Sequence, residues 1–283
     1  MATFNNFATL SYNGGTTNSN TVTGEILNIL SATKIAVIDD YTAKDNVTYV
    51  ISLLNSSNAP LNEVTIVDDL GGYLFNETTV YPLAYITSSV RLYINSILQT
   101  APTAVAGPPL VFSGINIPAG SNAILIYEAT VTAYAPLAAD DIITNTAVIT
   151  AAGLSTPVTV TANISTENRA DLTISKSVCP TVISENEPLT YTFVIENHGN
   201  TPAVATDNVI LTDTFSPILD PITVALNGTT WTENVSYTYD RTSGLFATIA
   251  GQITVPAATY NQATNGTWIV TPGTTVLTVT GTV

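Results

Sequence analysis

Cysteine is almost absent from this chain: Cys179 is the only one in 283 residues, and His198 is the only histidine. A single cysteine closes no intrachain disulfide. No Ser-His-acid arrangement, zinc-ligand spacing or phosphate-cradling glycine loop is present, so neither an enzyme, a metal site nor a cofactor is expected. Basic residues are scarce too. Six Lys and Arg against 21 Asp and Glu give a net charge of −15, which leaves no basic patch for nucleic acid or an anionic membrane. No apolar run reaches about 18 residues, which excludes a helical membrane insertion. The N-terminus lacks the basic and apolar regions of a secretory signal. Either a signal has been removed, or export needs none.

What remains is a β-leaning composition, rich in Thr, Val and Asn, with 15 Pro and 16 Gly as turn formers. Its length suits two ordinary domains. Only 10% of residues are charged, so Thr, Ser and Asn must cover much of the surface, a balance common in secreted fibres and adhesins. Apolar and polar residues alternate with period two in VTYVISLL, EVTIVDDL, AILIYEATVTAY and ITNTAVIT, between Asn, Gly and Pro, which predicts strands. No amphipathic helix of ten or more residues is expected.

The chain repeats itself. Lys34 is followed by Tyr49, Asn55, Asn58 and Pro60; Lys176 is followed at the same spacings by Tyr191, Asn197, Asn200 and Pro202. After a three-residue insertion, VTIVDDL (64–70) matches VILTDTF (209–215), pairing Asp68 with Asp213. PAGSNAILIYEATV, ending at Val131, parallels TPGTTVLTVTGTV, ending at Val283. Two homologous β-domains in tandem are therefore expected, over 30–167 and 168–283. The first continues past Val131 into a last hairpin, Ile142 to Ile164. The second stops at Val283, where that hairpin should begin.

The missing hairpin has a counterpart at the other end. Asn6–Ile26 (NFATLSYNGGTTNSNTVTGEI) matches Asn145–Ile164 (NTAVITAAGLSTPVTVTANI) with one gap. About eight residues separate Ile26 from Lys34, at most ~28 Å of extended chain. Folding back in cis would require doubling past the first domain. Donation in trans repeats the geometry with which Ile164 leads into Lys176. Residues 1–29 are therefore expected to act as a donor strand for the second domain of an identical subunit, head to tail, in an open filament. The donor side chains are Phe7, Ala8, Leu10, Tyr12, Val22 and Ile26, with Leu10, Tyr12 and Val22 facing inward. The expected acceptor edge is Val276, Leu277, Val279 and Val283.

The order Lys, Tyr, Asn, Pro, Asp and then NTAxxT, with YTFVIENHGNTPA and LTDTFSP in the second copy, resembles a bacterial and archaeal surface repeat known as domain of unknown function eleven. The first copy departs from it, with DDLGG in place of the usual Asp and Leu-Pro. The resemblance covers both domains. It implies immunoglobulin-like β-sandwiches in extracellular stalks, without enzymatic activity. The split arrangement resembles strand-exchanged bacterial filaments such as chaperone-assembled pili and spore appendages, the last needing no secretory signal.

Two of the three lysines, Lys34 and Lys176, hold the same repeat position on presumed first strands. Related sandwiches place first and last strands side by side, which would bring Asn145 to Lys34 and a donated Asn6 to Lys176. Asp68 and Asp213 are the matching acids. A buried Lys, Asn and carboxylate form an isopeptide bond when desolvation favours the neutral amine and the acid polarises the amide; an ordinary Lys–Asp ion pair with a hydrogen-bonded Asn is the alternative. The doublets Asp39/Asp40, Asp68/Asp69 and Asp140/Asp141 lack the spacing of a calcium loop and are expected as solvated turn carboxylates. Cys179 is expected as a half-buried thiol, and His198, in NHGN, as a turn residue.

The fold class expected is all-β, and the function a structural subunit of an extracellular filament, on a cell or spore surface with an unknown anchor or tip protein. The rival is an adhesin or stalk module that binds glycan or host protein through loops 71–89 and 227–246, with Tyr73, Tyr81, Tyr85, Trp231, Tyr237 and Tyr239.

Overall fold

The structure is a computed structural model that describes residues 2–26, 29–184 and 186–283, with no side chain described for Ala2, Glu25 and Ile26. It is all-β. Among the described residues the one helical element is a short 3-10 turn, Ala205–Asp207. The chain forms two compact units: residues 1–39, 44–132 and 143–164, and residues 40–43, 133–142 and 165–283. The short stretches 40–43 and 133–142 thus group with the second unit, a partition no linear repeat shows.

The N-terminal segment is a long hairpin of two successive antiparallel ladders. β1 (Ala2–Asn6) pairs with β4 (Val22–Ile26), and β2 (Thr9–Tyr12) with β3 (Gly15–Asn18). Side-chain bonds from Thr9 to Asn18 and from Thr23 to Asn5 hold its register. Its apolar side chains stay in solvent: Phe4, Phe7, Leu10, Tyr12 and Val22 are all more than half exposed.

The first unit is a sandwich of two antiparallel sheets. One runs through β5 (Leu30–Ala36), β6 (Asn46–Asn55), β10 (Asn122–Val131) and β8 (Arg91–Ile94); the other through β9 (Leu110–Ile117), β7 (Leu61–Asp68), β11 (Ile142–Thr150) and β12 (Val158–Thr166). Alternation decides the inner faces. β6 buries Val47, Tyr49, Ile51 and Leu53, β10 buries Leu125, Tyr127 and Ala129, β7 buries Val64, Ile66 and Asp68, and β11 buries Ile143, Asn145, Ala147 and Ile149. The expectation that first and last strands lie side by side is corrected. β5 bonds to β6 in one sheet, β11 to β7 in the other. An edge strand can join either sheet, and here the two lie in different sheets.

The second unit repeats the first sheet as β13 (Leu172–Cys179), β14 (Pro188–Asn197), β19 (Gly273–Thr282) and β16 (Ile222–Leu226). Its opposite sheet is short: β15 (Thr212–Thr214), β18 (Leu245–Thr248) and β17 (Tyr237–Asp240), in the order β15-β18-β17. Phe193, Phe215, Phe246, Leu277 and Val279 form its core. The registers of the two units coincide: Tyr49 lies opposite Tyr127, and Tyr191 lies opposite Val279.

Candidate functional site

In the first unit, three of the expected residues enter one buried cluster. Lys34 faces inward from β5, Asp68 ends β7 and Asn145 lies on β11; the Lys34 and Asp68 side chains are 0% exposed and Asn145 is 0% exposed. Lys34 Nζ donates to Asp68 Oδ2 at 2.7 Å. The Tyr127 hydroxyl donates to the same oxygen at 2.5 Å, and Asn145 Nδ2 donates to Tyr127 Oη at 3.2 Å. One hydrogen-bonded chain therefore runs from the lysine through the acid and the phenol to the asparagine.

The surroundings are aromatic. Tyr49 stacks on Tyr127 at 5.4 Å between ring centroids, Phe112 packs at 5.2 Å, and the Lys34 ammonium lies 5.1 Å from the Tyr49 ring. Burial lowers the pKa of Lys34 from its ordinary value, against the opposing pull of Asp68. Burial and the neighbouring Asp68 charge push the Tyr127 hydroxyl well up. Tyr49 is also raised, mainly by burial, with the Asn145 side chain acting against that rise. Tyr49 Oη and Asn145 Oδ1 are both buried without a hydrogen-bond partner, and buried polar atoms without partners are costly.

Asp68 is thus no solvated turn carboxylate, contrary to expectation. Its Oδ1 accepts from the Leu70 amide, while Asp69 accepts from the Gly71 and Thr146 amides and ties β11 to the corner. Of the other doublets, Asp141 accepts from the Ala138 amide and Asp140 from the Asn168 side chain. Among the described residues no cluster of three or more His, Cys, Asp or Glu has metal-holding geometry.

In the second unit Lys176 and Asp213 form a close ion pair, and Lys176 lies over the Tyr191 ring at 4.4 Å. Their side chains are 40% and 19% exposed, against 0% for both partners of the first unit's pair. The cause is topological. β7, which carries Asp68, is bonded on both sides, by β9 and β11. β15, which carries Asp213, is bonded by β18 alone. Among the described residues no strand occupies the β11 position.

The expected acceptor residues are therefore corrected. Val276, Leu277 and Val279 belong to β19, which is bonded to β14 on one side and β16 on the other. Among the described residues the open edge is 212–214, where β15 is bonded on one side by β18. Val283 lines a cavity of about 310 Å³ with Val178, Ile183, Leu189, Tyr191 and Pro217.

Asn6 pairs with Val22 inside the hairpin. Phe7, Ala8, Leu10, Tyr12 and Val22 are exposed there, and the Ile26 side chain lies outside the described residues. Cys179 is exposed, which corrects the half-buried expectation: its side chain points out of an edge strand, β13. His198 is in a turn, 3.6 Å from Glu196. The aromatic surface of the rival reading is partly dismantled: Tyr237 and Tyr239 are core residues, and Tyr85 packs against Phe112 and Tyr127. Sequence reasoning missed the two tyrosines of the buried cluster. Tyr49 carried a signal, since it recurs as Tyr191; Tyr127 carried none, since its counterpart is Val279.

No protein-family model matches the chain, and no curated protein does either. Solved structures similar to it include the full-length major pilin SpaD of Corynebacterium diphtheriae, at 12% identity over 86% of this chain and 59% of that one, TM-score 0.37. BcpA, the major pilin subunit of Bacillus cereus, matches at 11% identity over 96% and 73%, TM-score 0.35. A family 123 glycoside hydrolase from Clostridium perfringens matches at 13% identity over 50% and 28%, TM-score 0.32. The chain thus spans under two thirds of SpaD and of the hydrolase. These likenesses are loose, and the sandwich assignment rests on strand order and register.

Proposed function

We propose that this protein is a structural filament subunit of a cell surface, polymerising head to tail as the N-terminal hairpin of one copy enters the second unit of the next. The observation that carries this is the open edge of β15 beside a partly exposed Lys–Asp pair, where the first unit has β11 beside a buried one. An unpaired edge over an apolar core calls for a strand.

β11 is the template for the donor. Aligning Asn6 with Asn145 places Phe4, Ala8 and Leu10 where Ile143, Ala147 and Ile149 face the core. Ile143 packs directly on Gly71, whose counterpart in the second unit is Ser216, next to Pro217 at the mouth of the cavity. Phe4 is then the anchor at that end and Leu10 the plug at the other. Burying each apolar side chain contributes about 1.5–3 kcal/mol.

On this reading Lys34 and Asn145 form an isopeptide bond inside the first unit, and Lys176 takes the donated Asn6 to join neighbouring subunits covalently. No enzymatic activity is assigned. A labelled peptide of residues 2–26, added to a chain lacking them, tests the strand donation. Saturable one-to-one binding, abolished by Leu10→Asp in the peptide, is the expected result. No binding by an otherwise folded chain would overturn it.

A further inference from the structure

We propose that Tyr127 is a catalytic residue of the first unit's Lys34–Asn145 bond: it carries a proton to the leaving ammonia. This rests on the isopeptide reading and assigns a role that reading left empty.

The reaction needs three services. The lysine must lose a proton, the amide oxygen must be stabilised as it becomes an oxyanion, and the amide nitrogen must gain a proton before it leaves. Asp68 performs the first, accepting from Lys34 Nζ at 2.7 Å. Burial of the ammonium, which disfavours its charged form, assists that transfer. Asp68 does not perform the other two directly, since its Oδ2 is shared between Lys34 and Tyr127 and its Oδ1 takes the Leu70 amide.

A contact at Asn145 supplies the third. Its Oδ1 is buried without a hydrogen bond. Attack by the neutral Lys34 amine on Cγ turns the flat carbonyl into a tetrahedral centre with negative charge on Oδ1. Meanwhile Nδ2, as an amide, donates to Tyr127 Oη at 3.2 Å. Once tetrahedral, Nδ2 is an amine with a free lone pair, and the same contact reverses: Tyr127 donates to Nδ2 and is refilled by protonated Asp68. Tyr127 enters this sequence protonated because burial raises it.

The balance closes. The Lys34 ammonium starts with three hydrogens. One remains on the new amide, one leaves with Nδ2 as ammonia, and one rests on Asp68 or leaves with the ammonia as ammonium. The Cγ–Nδ2 bond breaks as the Nζ–Cγ bond forms, with no oxidation or reduction.

The test is a time course of intact mass during refolding of the full chain, quenched in acid. Wild type is expected to lose one ammonia from the first unit, and Lys34→Ala none from it. Tyr127→Phe is expected to refold, by circular dichroism, yet close the bond roughly 100-fold more slowly or not at all. A folded Tyr127→Phe chain that closes at the wild-type rate would overturn the role of Tyr127 while leaving the bond intact. Wild type with the mass of its plain sequence would overturn the bond and the role together. If Tyr127→Phe misfolds, a solvent-deuterium comparison on wild type decides: proton relay predicts slower closure in deuterated solvent, and an unchanged rate contradicts it.

Discussion

Lys34 is the residue on which the first unit is most exposed to mutation. Its charge is held in a dry aromatic box by one carboxylate, and a buried pair broken at one end leaves the other uncompensated. Lys34→Ala is expected to cost about 3–5 kcal/mol by chemical denaturation, with Asp68 left as the stranded charge. The phenols give a pH dependence with a definite sign. Tyr49 and Tyr127 are raised above their ordinary value of 10.0 in the fold, so above about pH 10 the unfolded chain releases protons that the native one keeps. Stability is therefore full below that pH and falls as pH rises beyond it. Lys34, lowered from 10.5, works the other way while its amine is free: the unfolded chain binds the extra proton, and stability rises with pH up to about 10.5. A cross-linked lysine no longer titrates, so only the alkaline fall is expected in mature protein. Urea melts across pH 7 to 11 check this, and Tyr127→Phe should show the shallower fall.

At the scale of elements, the repeat made much of this legible. Lys34, Asp68 and Asn145 were readable as a set because Lys176 and Asp213 recur at matching positions and Asn6 opens a matching hairpin. The path by which they meet was not readable: period two tells which side chains face inward, and leaves open which sheet an edge strand joins. The acceptor edge failed for a related reason. β19 is apolar and late in the chain, yet a strand's neighbours on both sides depend on distant pairings, and β14 and β16 close both its edges. Tyr127 escaped because comparing the copies highlights what recurs, and Val279 stands in its place. The corrected edge sharpens the prediction for the donor. Leu10→Asp places a charge where Ile149 is buried in the first unit and is expected to abolish assembly. Thr9→Asp, at the outward position of Val148, should assemble as wild type does. Sedimentation of both variants separates the two faces.

At the scale of the whole molecule, the proposal pairs the exposed N-terminal hairpin of one copy with the open edge at β15 of the next. Donor and acceptor surfaces would then differ, so the proposed contact is heterologous and propagates without closing. Covalent closure is separable from assembly. Lys176→Ala is expected to form filaments that dissolve in hot detergent, whereas wild-type filaments should leave a ladder of multiples on a denaturing gel. A wild-type sample that runs wholly as monomer would remove the inter-subunit bond and leave the strand exchange standing. The exchange itself is tested most directly by electron microscopy of the purified full chain beside a chain lacking residues 2–26. Filaments from the first and discrete particles from the second are the predicted result. Discrete particles from both, or filaments from both, would contradict assembly through the N-terminal hairpin.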